Sequence, residues 1–125
     1  MRALLQFVVI LAGWLAVFML PASADKADIE KGKRAFAKCQ VCHSIDGKNL
    51  LGPTLKGIIG RPAGSVEGFR YSRALKNAKI IWDEKTLDAY IDNPQQVAPG
   101  TTMPFSGIAD PGERADVIAY LRSLN

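Results

Sequence analysis

The 125 residues predict an all-α fold of three to five short helices joined by long loops. Three observations carry that expectation. Apolar residues recur at helical intervals in three stretches. No segment alternates polar and apolar residues for long enough to support a strand. Between Ser44 and Ile80 the chain is punctuated by Gly47, Gly52, Pro53, Gly57, Gly60, Pro62, Gly64 and Gly68, which reads as loop.

The first element is expected to stand apart from the fold. Arg2 and Leu4-Leu5-Gln6 precede an unbroken apolar run from Phe7 to Leu20. That run fits the core of an export signal, about 7–15 residues, and falls short of the roughly 20 needed to span a bilayer. Pro21 stops any helix, and Ala22-Ser23-Ala24 supplies a small-x-small cleavage pattern before charged Asp25-Lys26. Residues 1–24 are expected to be a cleaved signal peptide directing residues 25–125 to the periplasm. Retention as a membrane anchor is the rival reading, because Leu4 and Leu5 extend the apolar stretch.

The remaining elements follow in order. Ile29, Gly32, Phe36 and Cys39 fall on one helical face, with Ala35 beside Phe36. Asp83 has the character of an N-cap, followed by Leu87, Tyr90 and Ile91 on a common face. That helix should end before Pro94, which disfavours helical geometry at Asn93. Asp110-Pro111-Gly112-Glu113 reads as N-cap, first-turn proline and capping-box glutamate. Val117, Tyr120, Leu121 and Leu124 then form an apolar stripe.

This is one domain, with a formal charge of +4 that loses only Arg2 when the signal is removed. So small an excess biases association towards acidic protein surfaces and is far too weak to imply nucleic acid. Three short helices and long loops make a poor core for about 100 residues. A large apolar group bound inside would complete it.

The two cysteines and the single histidine fall together in "CQVCH", at Cys39, Cys42 and His43. A redox disulfide is one reading, but that chemistry normally sits on a βαβ framework and leaves His43 unexplained. Zinc is another, but it needs four ligands and the chain has no further cysteine or histidine. The third is covalent haem, for which C-x-x-C-H is the attachment signature. Cysteines three apart lie on one side of a helical turn, so both sulfurs can reach one haem edge while His43 takes the iron. Of the three, haem best accounts for an exported chain with too little core.

If His43 fills one axial position, a second histidine cannot fill the other. Of the three methionines, Met1 and Met19 lie in the expected signal, leaving Met103 in the loop "PGTTMPF". A lone methionine more often fills a gap in a core, but a proline-flanked loop offers little for it to pack against. Thioether ligation raises the reduction potential relative to two imidazoles. With both positions occupied, one-electron transfer is the remaining chemistry.

The chain resembles the class I c-type cytochromes, in particular the bacterial soluble members similar to mitochondrial cytochrome c. The likeness covers nearly all of residues 26–125, through "GKRAFAKCQVCH", "GPTLKGIIGR", "GFRYS", "IIWDEKTLDAYIDNP", "PGTTMPFSGI" and "RADVIAYLRS". The resemblance implies the cytochrome c fold around one haem c, bound covalently through Cys39 and Cys42, with His43 and Met103 as iron ligands. It implies that the Pro53 carbonyl accepts the other N–H of His43. Arg61, Tyr71 and Trp82 would face the haem propionates, and Tyr90 and Thr101 would line the methionine side. Gly32, Phe36 and Tyr120 would form the crossing of the first and last helices.

Two departures from the family stand out. Gln95, Gln96 and Thr102 occupy places where mitochondrial members carry lysines, with Lys33, Lys38 and Lys56 left to supply part of a basic rim. Leu75 stands where those members have an asparagine in a buried water network. The implied function is a monomeric periplasmic electron carrier, not an enzyme, with no substrate of its own. Its partners would be redox proteins with acidic docking surfaces: a quinol–cytochrome c oxidoreductase, terminal oxidase, reaction centre or dehydrogenase. The rival function is a haem peroxidase or gas-binding sensor in which Met103 is displaced.

Overall fold

The computed structural model describes residues 26–125, so the expected export segment 1–24 lies outside it. The described residues form six helical segments. These are α1 (Ile29–Ala35), α2 (Ala37–Gln40), α3 (Arg73–Asn77), α4 (Glu84–Asp92), α5 (Pro94–Val97) and α6 (Pro111–Ser123). The count exceeds the expected three to five because α2 and α5 are single turns of four residues.

Asp28 starts α1 by accepting from the backbone N–H groups of Glu30 and Lys31, at 2.9 and 3.0 Å. The expected first helix is pinched at Phe36 rather than broken. Phe36 keeps right-handed helical dihedrals, φ −60 and ψ −17. Its N–H bonds Gly32 O at 2.8 Å, and its carbonyl accepts from Cys39 and Gln40.

α6 crosses α1 where Gly32 stands. A Cβ on Gly32 would lie 1.9 Å from the carbonyl oxygen of Asp116, so only glycine permits the approach. The Asp28 N–H donates to the Asp116 carboxylate at 2.6 Å, and the rings of Phe36 and Tyr120 pack 5.4 Å apart. The crossing expected of Gly32, Phe36 and Tyr120 is therefore present.

α4 begins as expected at Asp83, with one refinement. Thr86 N donates to the Asp83 carboxylate at 2.7 Å and Thr86 Oγ1 accepts from Asp83 N at 2.8 Å, a reciprocal cap closed by threonine. Leu87, Tyr90 and Ile91 are all buried. The helix stops before Pro94, but the chain does not enter a loop. Asn93 swings to extended geometry and caps α5, with Pro94 at its first position.

α3 falls in the stretch read as loop. Ser72 Oγ caps it by accepting from Leu75 N at 3.2 Å, and Lys79 follows it with a left-handed φ of 50. An isolated antiparallel bridge joins Pro62 to Ile81. Around it, Gly60 N bonds Trp82 O at 2.7 Å and Trp82 N bonds Arg61 O at 2.9 Å.

α6 starts at Asp110, whose carboxylate accepts from Glu113 N at 2.7 Å. The reciprocal half of the expected capping box does not form, because the Glu113 carboxylate pairs with Lys38 instead. Val117, Ile118, Tyr120 and Leu121 are buried in the same cluster as Phe36, Leu87 and Ile91. The helices thus surround a space rather than a solid centre.

Candidate cofactor site

A cavity of about 450 Å³ opens in the middle of this arrangement. Its wall is largely aliphatic and aromatic, from Leu55, Ile58, Phe69, Leu75, Trp82, Leu87, Phe105, Val117 and Leu121. Every cofactor-site residue expected from the sequence lines it: Cys39, Cys42, His43, Pro53, Arg61, Tyr71, Trp82, Tyr90, Thr101 and Met103. These come from α2, the loop after it, the bridge region, α4 and the loop before α6. The fold therefore gathers into one hollow residues from almost the whole described chain.

Cys39 and Cys42 are free thiols at the end of α2. Cys39 sits in the last turn, and the chain stays helical through Val41, with φ −59 and ψ −32. Burial pushes the Cys39 thiol up, the nearby Lys38 charge pulling the other way. It is a protonated thiol at neutral pH.

His43 is oriented by two contacts. Its Nδ1–H donates to the Pro53 carbonyl at 2.7 Å. A carbonyl can only accept, so this fixes the tautomer and leaves the lone pair on Nε2. Gly52 abuts the ring: a Cβ there would lie 2.3 Å from Cε1 and 2.6 Å from Nδ1. Burial lowers the pKa of the imidazole, the Pro53 bond opposes the shift and the Arg61 charge reinforces it. A neutral imidazole with one free lone pair in an apolar hollow is suited to binding a metal.

The polar residues of the wall are held by the chain itself. Arg61 donates from Nη1 to Lys56 O at 3.0 Å and from Nη2 to Thr54 O at 2.9 Å. Tyr71 OH accepts from Val66 N at 3.2 Å, and its ring meets Phe69 edge-on at 4.8 Å. Trp82 packs 5.0 Å from Tyr90, and Tyr90 OH is 3.0 Å from Thr101 Oγ1. Burial raises both phenols, so each remains a neutral donor.

The residues present fit a haem. The hollow is large and apolar, two thiols stand beside a neutral imidazole, and a soft sulfur donor, Met103, shares the same wall. Leu75 belongs to that wall, placing an aliphatic group where the resemblance expects a polar network.

Gly52 and Arg114 carry roles that the sequence reading did not assign. Gly52 stood among the punctuation, and its position beside Pro53 was the available signal. Arg114 is a charged residue that the fold buries, 9% exposed. It falls three and seven residues before Val117 and Leu121, and that helical register was its signal. Gln95, expected at an exposed edge, also braces the loop ahead of Met103. It donates to Thr101 O at 2.9 Å and accepts from Gly100 N at 3.1 Å, which a lysine could not do.

The family model described as Cytochrome c matches residues 29–125. Cytochrome c2 of Rhodomicrobium vannielii is 46% identical over 109 residues, covering 85% of this chain and 87% of that protein. Cytochrome c2 of Blastochloris viridis is 43% identical over 113 residues, covering 89% and 87%. Among solved structures, cytochrome cH from Methylobacterium extorquens superposes with a TM-score of 0.74 at 43% identity, over 77% of this chain and 98% of that one.

Proposed function

The chain belongs to the cytochrome c family, and on that footing we propose how this one holds its cofactor and where it works. It is an electron carrier with one haem c attached through Cys39 and Cys42. When bound, the haem supplies an iron that alternates between ferrous and ferric states and so passes one electron at a time.

In our reading His43, through Nε2, and Met103, through its sulfur, would hold the haem iron. The observation that carries it is the His43 Nδ1–H to Pro53 bond, which commits the ring's other nitrogen to the cavity that Met103 shares. Arg61, Tyr71 and Trp82 offer a cation and donors to the propionates. Tyr90 and Thr101, bonded to each other, stiffen the approach to Met103. The aliphatic wall would limit water around the group and so disfavour extra charge there. With His43 and Met103 both engaged in holding it, the group would supply one-electron transfer and the protein would have no substrate of its own.

Residues 1–24 act as an export signal and residues 25–125 as the working domain in the periplasm. The apolar run and the Ala22-Ser23-Ala24 pattern support this. Among the described residues no helix is long and apolar enough to cross a membrane. Partners are redox proteins that present acidic surfaces, as the excess of positive charge favours.

Two measurements test these points. The oxidised protein should show a near-infrared sulfur-to-iron band, lost in Met103→Ala together with a fall in reduction potential. A variant that keeps the band would remove Met103 from the iron. The mass of the mature protein should equal a chain starting at Asp25 plus one haem. A mass that includes residues 1–24 would mean the segment is kept as an anchor.

A further inference from the structure

Residues 98–110 carry Met103 without regular structure, and the hydrogen bonds that hold them cluster at the two ends. On the leading side, Tyr90 and Gln95 both reach Thr101. On the trailing side, Ile108 N donates to Ile91 O at 2.8 Å. There Gly107 lies so close to α4 that a Cβ would meet Asp92 O at 1.9 Å. Within the span, Phe105 N bonds Met103 O at 2.9 Å, which ties the loop to itself and to neither helix.

The trailing end rests on one guanidinium. The Arg114 side chain is 10% exposed. Its Nη1 donates to Ile108 O at 2.9 Å, to Ala109 O at 3.0 Å and to the Asp92 carboxylate at 3.0 Å. Its Nε donates to Asp88 at 2.7 Å. A single side chain of α6 therefore joins two carboxylates of α4 to the last carbonyls of the methionine loop.

We propose that Arg114 is a positioning residue for Met103, holding the loop so that its sulfur stays on the iron. The proposal rests on the His43/Met103 ligation advanced above. A thioether is a neutral, weak ligand, so its occupancy depends on how little freedom the loop regains when the sulfur lets go. Removing the guanidinium deprives the buried end of its donors and frees that end to move. Asp88 and Asp92, each about half exposed at 45% and 49%, can return to water.

The test uses the haem-loaded, oxidised protein and titrates it with imidazole, which competes with the sulfur for iron. Arg114→Gln should bind imidazole about tenfold more tightly than the wild type, the worth of one charge-assisted hydrogen bond. Its near-infrared sulfur band should weaken while haem content and helical circular dichroism stay at wild-type levels. Arg114→Lys keeps the charge but cannot span Asp88 and two carbonyls together. It should fall between the two, and it carries the test if Arg114→Gln does not fold. Imidazole affinities within about twofold of wild type, with a band that disappears only alongside the helical signal in guanidinium, would leave Arg114 a structural role alone and overturn the proposal. A wild type that lacks the band overturns the ligation itself, and this inference with it.

Discussion

Gly52 shows how much can rest on a missing methyl group. The absent Cβ leaves the face of His43 in contact with backbone, while the next residue, Pro53, supplies the carbonyl that takes the ring's proton. Gly52 also ties back, its N–H bonding Cys42 O at 2.8 Å. Gly52→Ala should force the imidazole off that position. We expect the haem-loaded protein to lose about 1–3 kcal/mol of stability, the usual cost of overpacking, read from its guanidinium midpoint. An unchanged midpoint would mean that the ring has room to yield. The covalent haem at Cys39 and Cys42 was legible from their spacing, because attachment needs fixed residue types at fixed intervals. Gly52 was not, because the contact that demands it forms only when the chain folds.

Elements were legible in proportion to their length. α4 and α6 run for 9 and 13 residues, long enough for the apolar period to repeat, and their aspartate caps mark the starts. α3 and α5 span only 5 and 4 residues, so no period develops. Their capping residues, Ser72 and Asn93, with Pro94 at the start of α5, were the local trace. Just past α3, Lys79 takes a left-handed conformation that costs a side-chain-bearing residue about 1–2 kcal/mol. It is exposed, and glycine is the residue that usually fills this place after a helix. Lys79→Gly should therefore raise stability by about 1 kcal/mol, measured by thermal or guanidinium unfolding, with the haem spectrum unaltered. A loss of stability would mean that the lysine side chain contributes more than its backbone costs.

At the scale of the molecule, the sequence shows a core too small for its chain, and the structure turns that deficit into a hollow walled from almost the whole described chain. Sequence alone could not give the surface around its mouth. Val41, Leu50 and Leu51 are exposed by 72%, 53% and 84%. The bond from Gly52 N to Cys42 O draws the two stretches together, and Leu51 lines the cavity. Thr102, which lines the cavity, and the exposed Gln95 and Gln96 carry no charge. Electron transfer to a redox protein partner should accordingly slow only gently as salt is raised, and Leu51→Lys should steepen that dependence. Stopped-flow rates across ionic strength decide it, and a steep wild-type slope would restore lysines to the leading role.

The clasp between α1 and α6 also sets an order of events. Its partners Asp28 and Asp116 are 88 residues apart in the chain, so it cannot close until the final helix has been made. Both thiols lie near the front, beside the first half of that clasp. A nascent polypeptide thus presents its sulfurs before this contact can close.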